Sequence, residues 1–375
     1  VKMLTSRERL LKTLAGKKAD RVPISLYEFD GIYQGWIENY PEYVEILRYA
    51  EGKTDKMYFW CPAVENCEFF GEVDREQVRI KTWKEGASSY TKKEIETPLG
   101  IISTLLREDE GIHTTWTIEH FCKNKEDIEK LLALRYIPCR PVVDSFFQLD
   151  KQLGDKGIPM GDIPDALCMT ADVLGFSQFL MAYVEENDLI FKLMDFFQER
   201  IYNYLKYILE KSCVGLYRIV GPEYATPPYL SPREFDLLIK PYDTELIKLM
   251  HTHGGLARIH SHGKIKKVLN SIKEMEIDAI DPLEPPPDGD IELKEVREIL
   301  GEKITLIGNI EERLFETGKK EDVETAVKKA IKEGTSGEGG FILCPTAMPL
   351  NTPLDKKIQE NIIHYIDCGL KYGVL

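Results

Sequence analysis

Gly255-Leu256-Ala257-Arg258-Ile259-His260-Ser261-His262-Gly263 is an apolar run that ends in two imidazoles two residues apart. Side chains at i and i+2 of an extended segment share a face, so His260 and His262 can look the same way if the strand persists through Ser261. Gly263 then lets the chain turn off. Two other apolar runs end in the same manner. Gly340-Phe341-Ile342-Leu343 stops at Cys344-Pro345, and Val214-Gly215-Leu216-Tyr217-Arg218-Ile219-Val220 stops at Gly221-Pro222-Glu223. Imidazole, thiolate and carboxylate are zinc ligands. If these strands are parallel neighbours, His260, His262, Cys344 and Glu223 converge on one metal.

Working outward, strand and helix patterns alternate, which predicts a parallel sheet with crossover helices. Thr5 to Gly16 reads as a helix capped by Ser6 and ended by Gly16. Eight strands are expected, at 21–27, 56–60, 157–162, 214–220, 256–260, 277–280, 304–307 and 340–343. Helical patterns separate them, as at 171–213, 264–273 and 321–334. Eight such units suit a (β/α)8 TIM barrel, with an open doubly wound sheet as the competing α/β architecture. Between about 76 and 120 the pattern changes. Segments 78–83, 88–93, 101–106 and 113–118 look like an antiparallel β meander inserted into one barrel domain spanning 1–375.

Bulk properties narrow the function. The chain has 375 residues, is 43% hydrophobic and 30% charged, and carries a net charge of −14. Nucleic-acid binders normally show a basic footprint, so nucleic acid is not an expected partner. No apolar run nears the roughly 20 residues that span a bilayer, so no membrane role is expected. The N-terminus lacks a signal-peptide apolar core, which suggests a cytoplasmic protein. The eight cysteines are scattered without a CxxC pair, so most are expected to be reduced core thiols.

In a barrel, chemistry gathers at the C-terminal ends of the strands. Those ends supply Tyr27, Asp30, Trp60, Asp162, Glu223, Tyr224, His260, His262, Asp281 and Cys344. Glu223 is either a metal ligand, a catalytic base or a helix cap. Tyr27, Asp30, Trp60, Asp162, Tyr224 and Asp281 are candidate substrate contacts. Phe29, Tyr33, Trp36 and Tyr229 add to an aromatic rim suited to a planar ligand, or simply line a helix interface. A second pair, His251 and His253, falls at a helix end before the strand, where it would satisfy backbone carbonyls.

Thr5-Ser6-Arg7-Glu8-Arg9-Leu10 through Arg21-Val22-Pro23-Ile24, Asp281-Pro282-Leu283-Glu284-Pro285 and Gly308-Asn309-Ile310 together resemble the uroporphyrinogen-decarboxylase-like superfamily over essentially the whole chain. The resemblance implies a (β/α)8 barrel. True decarboxylases carry an Arg-rich RQAGRY-type segment after the first strand, which holds substrate carboxylates. Here that place reads Tyr27-Glu28-Phe29-Asp30-Gly31-Ile32-Tyr33, which disfavours a polyanionic tetrapyrrole. The zinc branch of the superfamily exchanges methyl groups with corrinoid proteins, using an HxC pair and a distant Cys. His260 matches that His, His262 takes the place of the first Cys, and Cys344 matches the second. A neutral imidazole in place of a thiolate leaves zinc the stronger Lewis acid, suited to an ether oxygen. The resemblance therefore implies zinc as cofactor and a separate corrinoid protein, carrying cobalamin, as partner. It implies methyl transfer from an O-methyl donor, such as a methoxylated aromatic, to Co(I). The alternatives are methyl transfer from a corrinoid to a thiol of the coenzyme M type, a decarboxylase, and a non-catalytic metal- or corrinoid-binding protein.

Overall fold

Parallel pairing arranges seven strands in their order along the chain. In the computed structural model, which describes residues 3–29 and 35–375, these are β1 (Lys56–Trp60), β2 (Gly157–Pro164), β3 (Leu216–Val220), β4 (Leu256–Ser261), β5 (Ala279–Pro282), β6 (Thr305–Ile310) and β7 (Phe341–Pro345). Among these seven, each pairs with its neighbours in chain order. Helices separate them, for example Ala166–Leu174, Phe176–Glu185 and Asn187–Glu210 between β2 and β3. The fold is thus α/β, and its parallel sheet is compatible with a TIM barrel.

The strand expected at 21–27 does not form as a regular strand. Pro23 removes one ladder donor, and Ile24 makes only an isolated parallel bridge to Leu343. The segment still bonds both edges of the sheet. Ser25 N–H donates to Leu343 O at 2.8 Å and Leu343 N–H to Pro23 O at 2.9 Å, while Asp55 N–H donates to Ile24 O at 2.7 Å, just before β1. The sheet therefore curls until its last strand and the residue just before its first strand bond the same segment.

Alternation decides what faces inward. Met57, Phe59, Ile158, Met160, Leu216, Ala279, Ile307, Ile342 and Cys344 pack in one cluster inside the sheet, and Tyr58, Trp60, Tyr217, Ile219, Ala257 and Ile259 pack outside it among the helices. Helix Ser6–Leu14 adds Leu10 and Leu14 to the inner cluster. It lies across the strand starts, where Arg7 Nε donates to Gly157 O and Thr305 Oγ1 to Thr13 O. Thr5, not Ser6, caps this helix: its side chain accepts from the Glu8 N–H, and Glu8 Oε2 accepts from the Thr5 N–H at 2.8 Å.

The meander forms between β1 and β2 as four antiparallel strands, Val78–Glu85, Ser88–Thr97, Gly100–Asp109 and Thr115–Glu119. Ile95 and Ile102 pair across strands and are buried, while Ile80, Ile101, Trp116 and Ile118 are exposed. Beyond its third strand the chain reaches the loop after β7: His113 N–H donates to Leu350 O at 2.9 Å, and the His113 ring stacks on Trp36 with centroids 3.9 Å apart. Six cysteines are free, but Cys67 and Cys139 form a disulfide across 72 residues. Sequence spacing hid this pair because folding brings their Cα atoms within 6.1 Å. Among the described residues no single helix is long and apolar enough to cross a membrane, although the bent pair Ala166–Leu174 and Phe176–Glu185 passes that test on length and composition.

Candidate functional site

Inward parity on β4 sets Leu256, Arg258 and His260 on one face, and His262 continues that row past the strand end. The two imidazole rings meet edge to face, with centroids 4.6 Å apart. A carboxylate anchors each ring through Nδ1. Asp281 Oδ2 lies 2.8 Å from His260 Nδ1, because register places Asp281 of β5 beside His260. Glu284 Oε1 lies 2.8 Å from His262 Nδ1, and Glu284 Oε2 accepts from Gly263 N–H at 2.6 Å. A carboxylate at Nδ1 leaves Nε2 as the second nitrogen of each ring, the arrangement found behind metal-bound histidines. His260 is 5% exposed, whereas the His262 side chain is 38% exposed.

Asp281 is the hub. It also takes a bidentate pair from Arg258, with Nε to Oδ1 at 2.5 Å and Nη2 to Oδ2 at 2.6 Å. Arg258 and Asp281 are both essentially buried. Burial alone would raise the Asp281 carboxyl, but the charges and hydrogen bonds of Arg258 and His260 hold it far below the usual carboxylate range. Burial likewise opposes the charged form of His262, but the hydrogen bond and charge of Glu284, with Glu223 and Asp281 beyond, lift it above the ordinary imidazole value. Burial works to raise Glu284, and the hydrogen bond and charge of His262 together with the Gly263 N–H outweigh it, holding Glu284 low.

A second buried guanidinium stands on β3. Arg218 binds Asp162 through Nε at 2.7 Å and Nη2 at 3.1 Å, Glu28 through Nη2 at 2.8 Å, and the Tyr27 hydroxyl through Nη1 at 3.2 Å. Tyr27, at a positive φ of 60°, also brings that hydroxyl within 3.5 Å of His260 Nε2. Tyr27 and Asp162 therefore join the cluster as partners of Arg218.

Cys344 ends β7 on the inner face and is 1% exposed. Burial pushes its thiol up to about 12, against the charge of Arg258, with the Ser25 hydroxyl and the Tyr27 backbone N–H as its hydrogen-bond neighbours. Glu223 lies in the turn Pro222–Ala225 after β3, where Oε2 accepts from Gly221 N–H at 3.3 Å. Its charge reaches His262. Among the described residues no group of three or more His, Cys, Asp or Glu is assembled to hold a metal ion. The expected four-ligand convergence is therefore not drawn together here. What the structure does bring together is the imidazole pair with its carboxylates.

Tyr224 packs against Phe176, which also meets Tyr229, and the three rings form an aromatic wall after β3. Trp60 lies elsewhere. Its parity on β1 turns it outward, where its indole donates to Ser145 Oγ at 3.0 Å and packs on Phe146. The expectation that Trp60 lines the substrate face is corrected accordingly. Asp30 and Tyr33 lie outside the described residues. His253 Nδ1 approaches Leu249 O at 3.0 Å, as a helix end demands, and His251 pairs with Asp278. Sequence reading passed over Arg258, Arg218 and Glu284. The period-two rule applied back from His260 would have turned Arg258 inward, whereas Glu284 lies past the end of β5 and carries no periodic signal.

Comparison with known proteins bears on the fold and the family. No curated protein matches the chain by sequence. Among solved structures, a methyltransferase from Methanosarcina mazei superposes with a TM-score of 0.62 at 14% identity, over 98% of this chain and 99% of that one. The family model for uroporphyrinogen decarboxylase (URO-D) matches residues 113–359, which contain β2 to β7 and with them Arg218, Glu223, both imidazoles, Asp281 and Cys344, so the chain belongs to the URO-D family.

Proposed function

We propose that the chain is a zinc-dependent methyltransferase that moves a methyl group from an O-methyl donor, most fittingly a methoxylated aromatic, to the Co(I) of a separate corrinoid protein. The observation that carries this reading is the pair of imidazoles with both Nδ1 atoms anchored on carboxylates. The whole-chain likeness to a methyltransferase supports it. The sheet is read as a closed (β/α)8 barrel of one domain, with the segment around Ile24 as its eighth stave and the meander as an insertion. A cytoplasmic location goes with this reading.

By donor type, His260, His262 and Cys344 are the residues that would hold zinc, since two imidazole nitrogens and one sulfur are a donor set zinc accepts; the described residues do not draw the three together, so the proposal rests on donor chemistry. When bound, zinc supplies Lewis-acid polarisation of the donor oxygen. The chain's own residues do the rest. Asp281 and Glu284 fix the two rings. Arg218, held by Asp162 and Glu28, fixes the Tyr27 hydroxyl at the mouth. The wall of Phe176, Tyr224 and Tyr229 offers flat surfaces to a planar donor. Glu223, in the turn after β3, is the residue proposed as base or as a further metal ligand.

Decarboxylation of a polyanionic tetrapyrrole is disfavoured because both guanidiniums at the site are already neutralised, Arg258 by Asp281 and Arg218 by Asp162 and Glu28. The test is a metal analysis combined with a screen of methoxyarenes and thiols against a reduced corrinoid protein. One zinc per chain is expected, with Zn–N near roughly 2.0–2.1 Å and Zn–S near roughly 2.3 Å by X-ray absorption. Free phenol should appear as the corrinoid becomes methylated. An enzyme that methylates thiols from methylcobalamin and ignores every methoxyarene sinks this reading.

A further inference from the structure

The loop after β1 and the segment before helix Asp144–Leu153 enclose, with the meander, a cavity of about 480 Å³. It shares no residue with the imidazole pair and its carboxylates, and its size suits a small molecule. Residues of the stretch from Glu65 to Asp74 form one wall, residues from Leu134 to Val142 the second, and Arg75, Gln77 and Pro98 the third. The first two walls are joined at three points. Val142 N–H donates to Ala63 O at 2.9 Å, Glu72 N–H donates to Ile137 O at 2.7 Å, and the Cys67–Cys139 disulfide falls between those two bonds along each wall. Gln77 Nε2 donates to Glu96 O at 3.2 Å and ties the third wall to the meander. The cavity is therefore built before any ligand arrives, which lowers the ordering cost of binding.

The arginines here differ from most others in the chain. Of fifteen arginines, ten donate a side-chain hydrogen bond or form an ion pair. Arg48, Arg75, Arg135, Arg140 and Arg233 do neither among the described residues, and three of these five line this one cavity. Glu65, Glu72 and Asp74 line it too, yet none of them forms an ion pair with those arginines. All three arginines are exposed, so their donors are open to an incoming group. A guanidinium fork matches an oxyanion bidentately. Ile137 and Val142 are exposed apolar side chains in the same lining, and Pro98 adds to that surface. Covering them takes apolar area out of water. The carboxylates repel a second negative group on the same ligand.

We propose that this cavity binds an organic acid carrying a single oxyanion group, carboxylate or phosphate, on an apolar body. Arg75, Arg135 and Arg140 receive the oxyanion, Pro98, Ile137 and Val142 cover the body, and Glu65 and Glu72 select against a ligand charged at both ends. The disulfide keeps the wall that carries Glu65 and Glu72 against the wall that carries Arg135 and Arg140. None of this rests on methyl transfer, so the site stands or falls apart from that reaction.

Calorimetric titration of the full chain with its disulfide intact tests the site, using benzoate, phenyl phosphate and hexanoate as probes. Binding of at least one is expected. Inorganic phosphate lacks the body, benzyl alcohol lacks the charge, and terephthalate carries a second charge, so each should bind about tenfold more weakly or worse. Affinity should fall as salt rises. The double variant Arg135→Gln, Arg140→Gln should lose about tenfold per guanidinium, at an unchanged Tm because both side chains are exposed. Glu72→Gln should bring terephthalate closer to benzoate. Reducing the disulfide with dithiothreitol should weaken the probe by loosening the walls, and unchanged affinity removes the disulfide from the site. Failure of all three probes overturns the proposal. So does equal affinity in wild type and double variant, which would place the probe elsewhere on the molecule. Terephthalate bound as tightly as benzoate overturns the preference for a single charge.

Discussion

Replacing Asp281 by Asn tests the hub of the site. The native carboxylate accepts three hydrogen bonds, two from Arg258 at 2.5 and 2.6 Å and one at the His260 ring at 2.8 Å. The amide keeps the shape but removes the charge, and its NH2 then faces a donor. Arg258 is 2% exposed, and besides Asp281 its hydrogen-bond partners among the described residues are the Met57 and Met160 sulfurs. Its charge is left buried and unpaired, which costs about 3–5 kcal/mol. That is a large share of the roughly 5–15 kcal/mol that holds a typical domain together. Urea unfolding should show the loss as a lower midpoint at unchanged slope. Arg258→Met should cost a similar amount by stranding Asp281, and the double substitution should cost less than the sum of the two, since it strands neither charge. The sign with pH follows from the lowered Asp281 value. Its contribution is full above the unfolded carboxylate value near 4 and drains away as pH falls below it. The difference between wild type and Asp281→Asn should therefore shrink in acid. A variant within about 1 kcal/mol of wild type at pH 7, or additive single losses, would refute the reasoning.

Glu223→Gln should lower methyl transfer by about 10²–10⁴ while leaving Tm near wild type, and full turnover would reduce Glu223 to a cap. In metal-free protein, Glu284→Gln should bring the His262 titration down toward the ordinary imidazole value, read by NMR. The stabilisation from this pair is present below that value and is lost as pH rises through the raised one. An unmoved titration would show that Glu284 does not set it. Cys67→Ser opens a loop of 72 residues and should cost about 2–4 kcal/mol in denaturant, and no loss relative to wild type would mean the bond does not close under those conditions.

The repeating part of the fold was legible in the sequence. β1 forms over Lys56–Trp60 as read, and the runs ending at His260, Val220 and Cys344 all become strands within two residues of their expected bounds. The meander too was visible, because period-two alternation is a local property. His260 and His262 were found because both lie in one continuous extended row. Three things were not local. The segment at 21–27 looks like a strand, but its irregular pairing depends on bonding two edges at once, through Leu343 and Asp55. Trp60 is aromatic and ends a strand, but whether its parity is inward or outward depends on which face of the sheet the helices cover. Cys67 and Cys139 become neighbours only when distant loops are brought together.

Sequence alone determined the strand–helix alternation and the residue types that end each strand, because periodicity and composition act over a few residues. Tertiary structure decided their partners. It set Asp281 and Glu284 behind the two imidazoles and gave both arginines to carboxylates. Partnership of buried charges depends on strand register and burial. Both arise only when segments far apart in the chain are packed out of water.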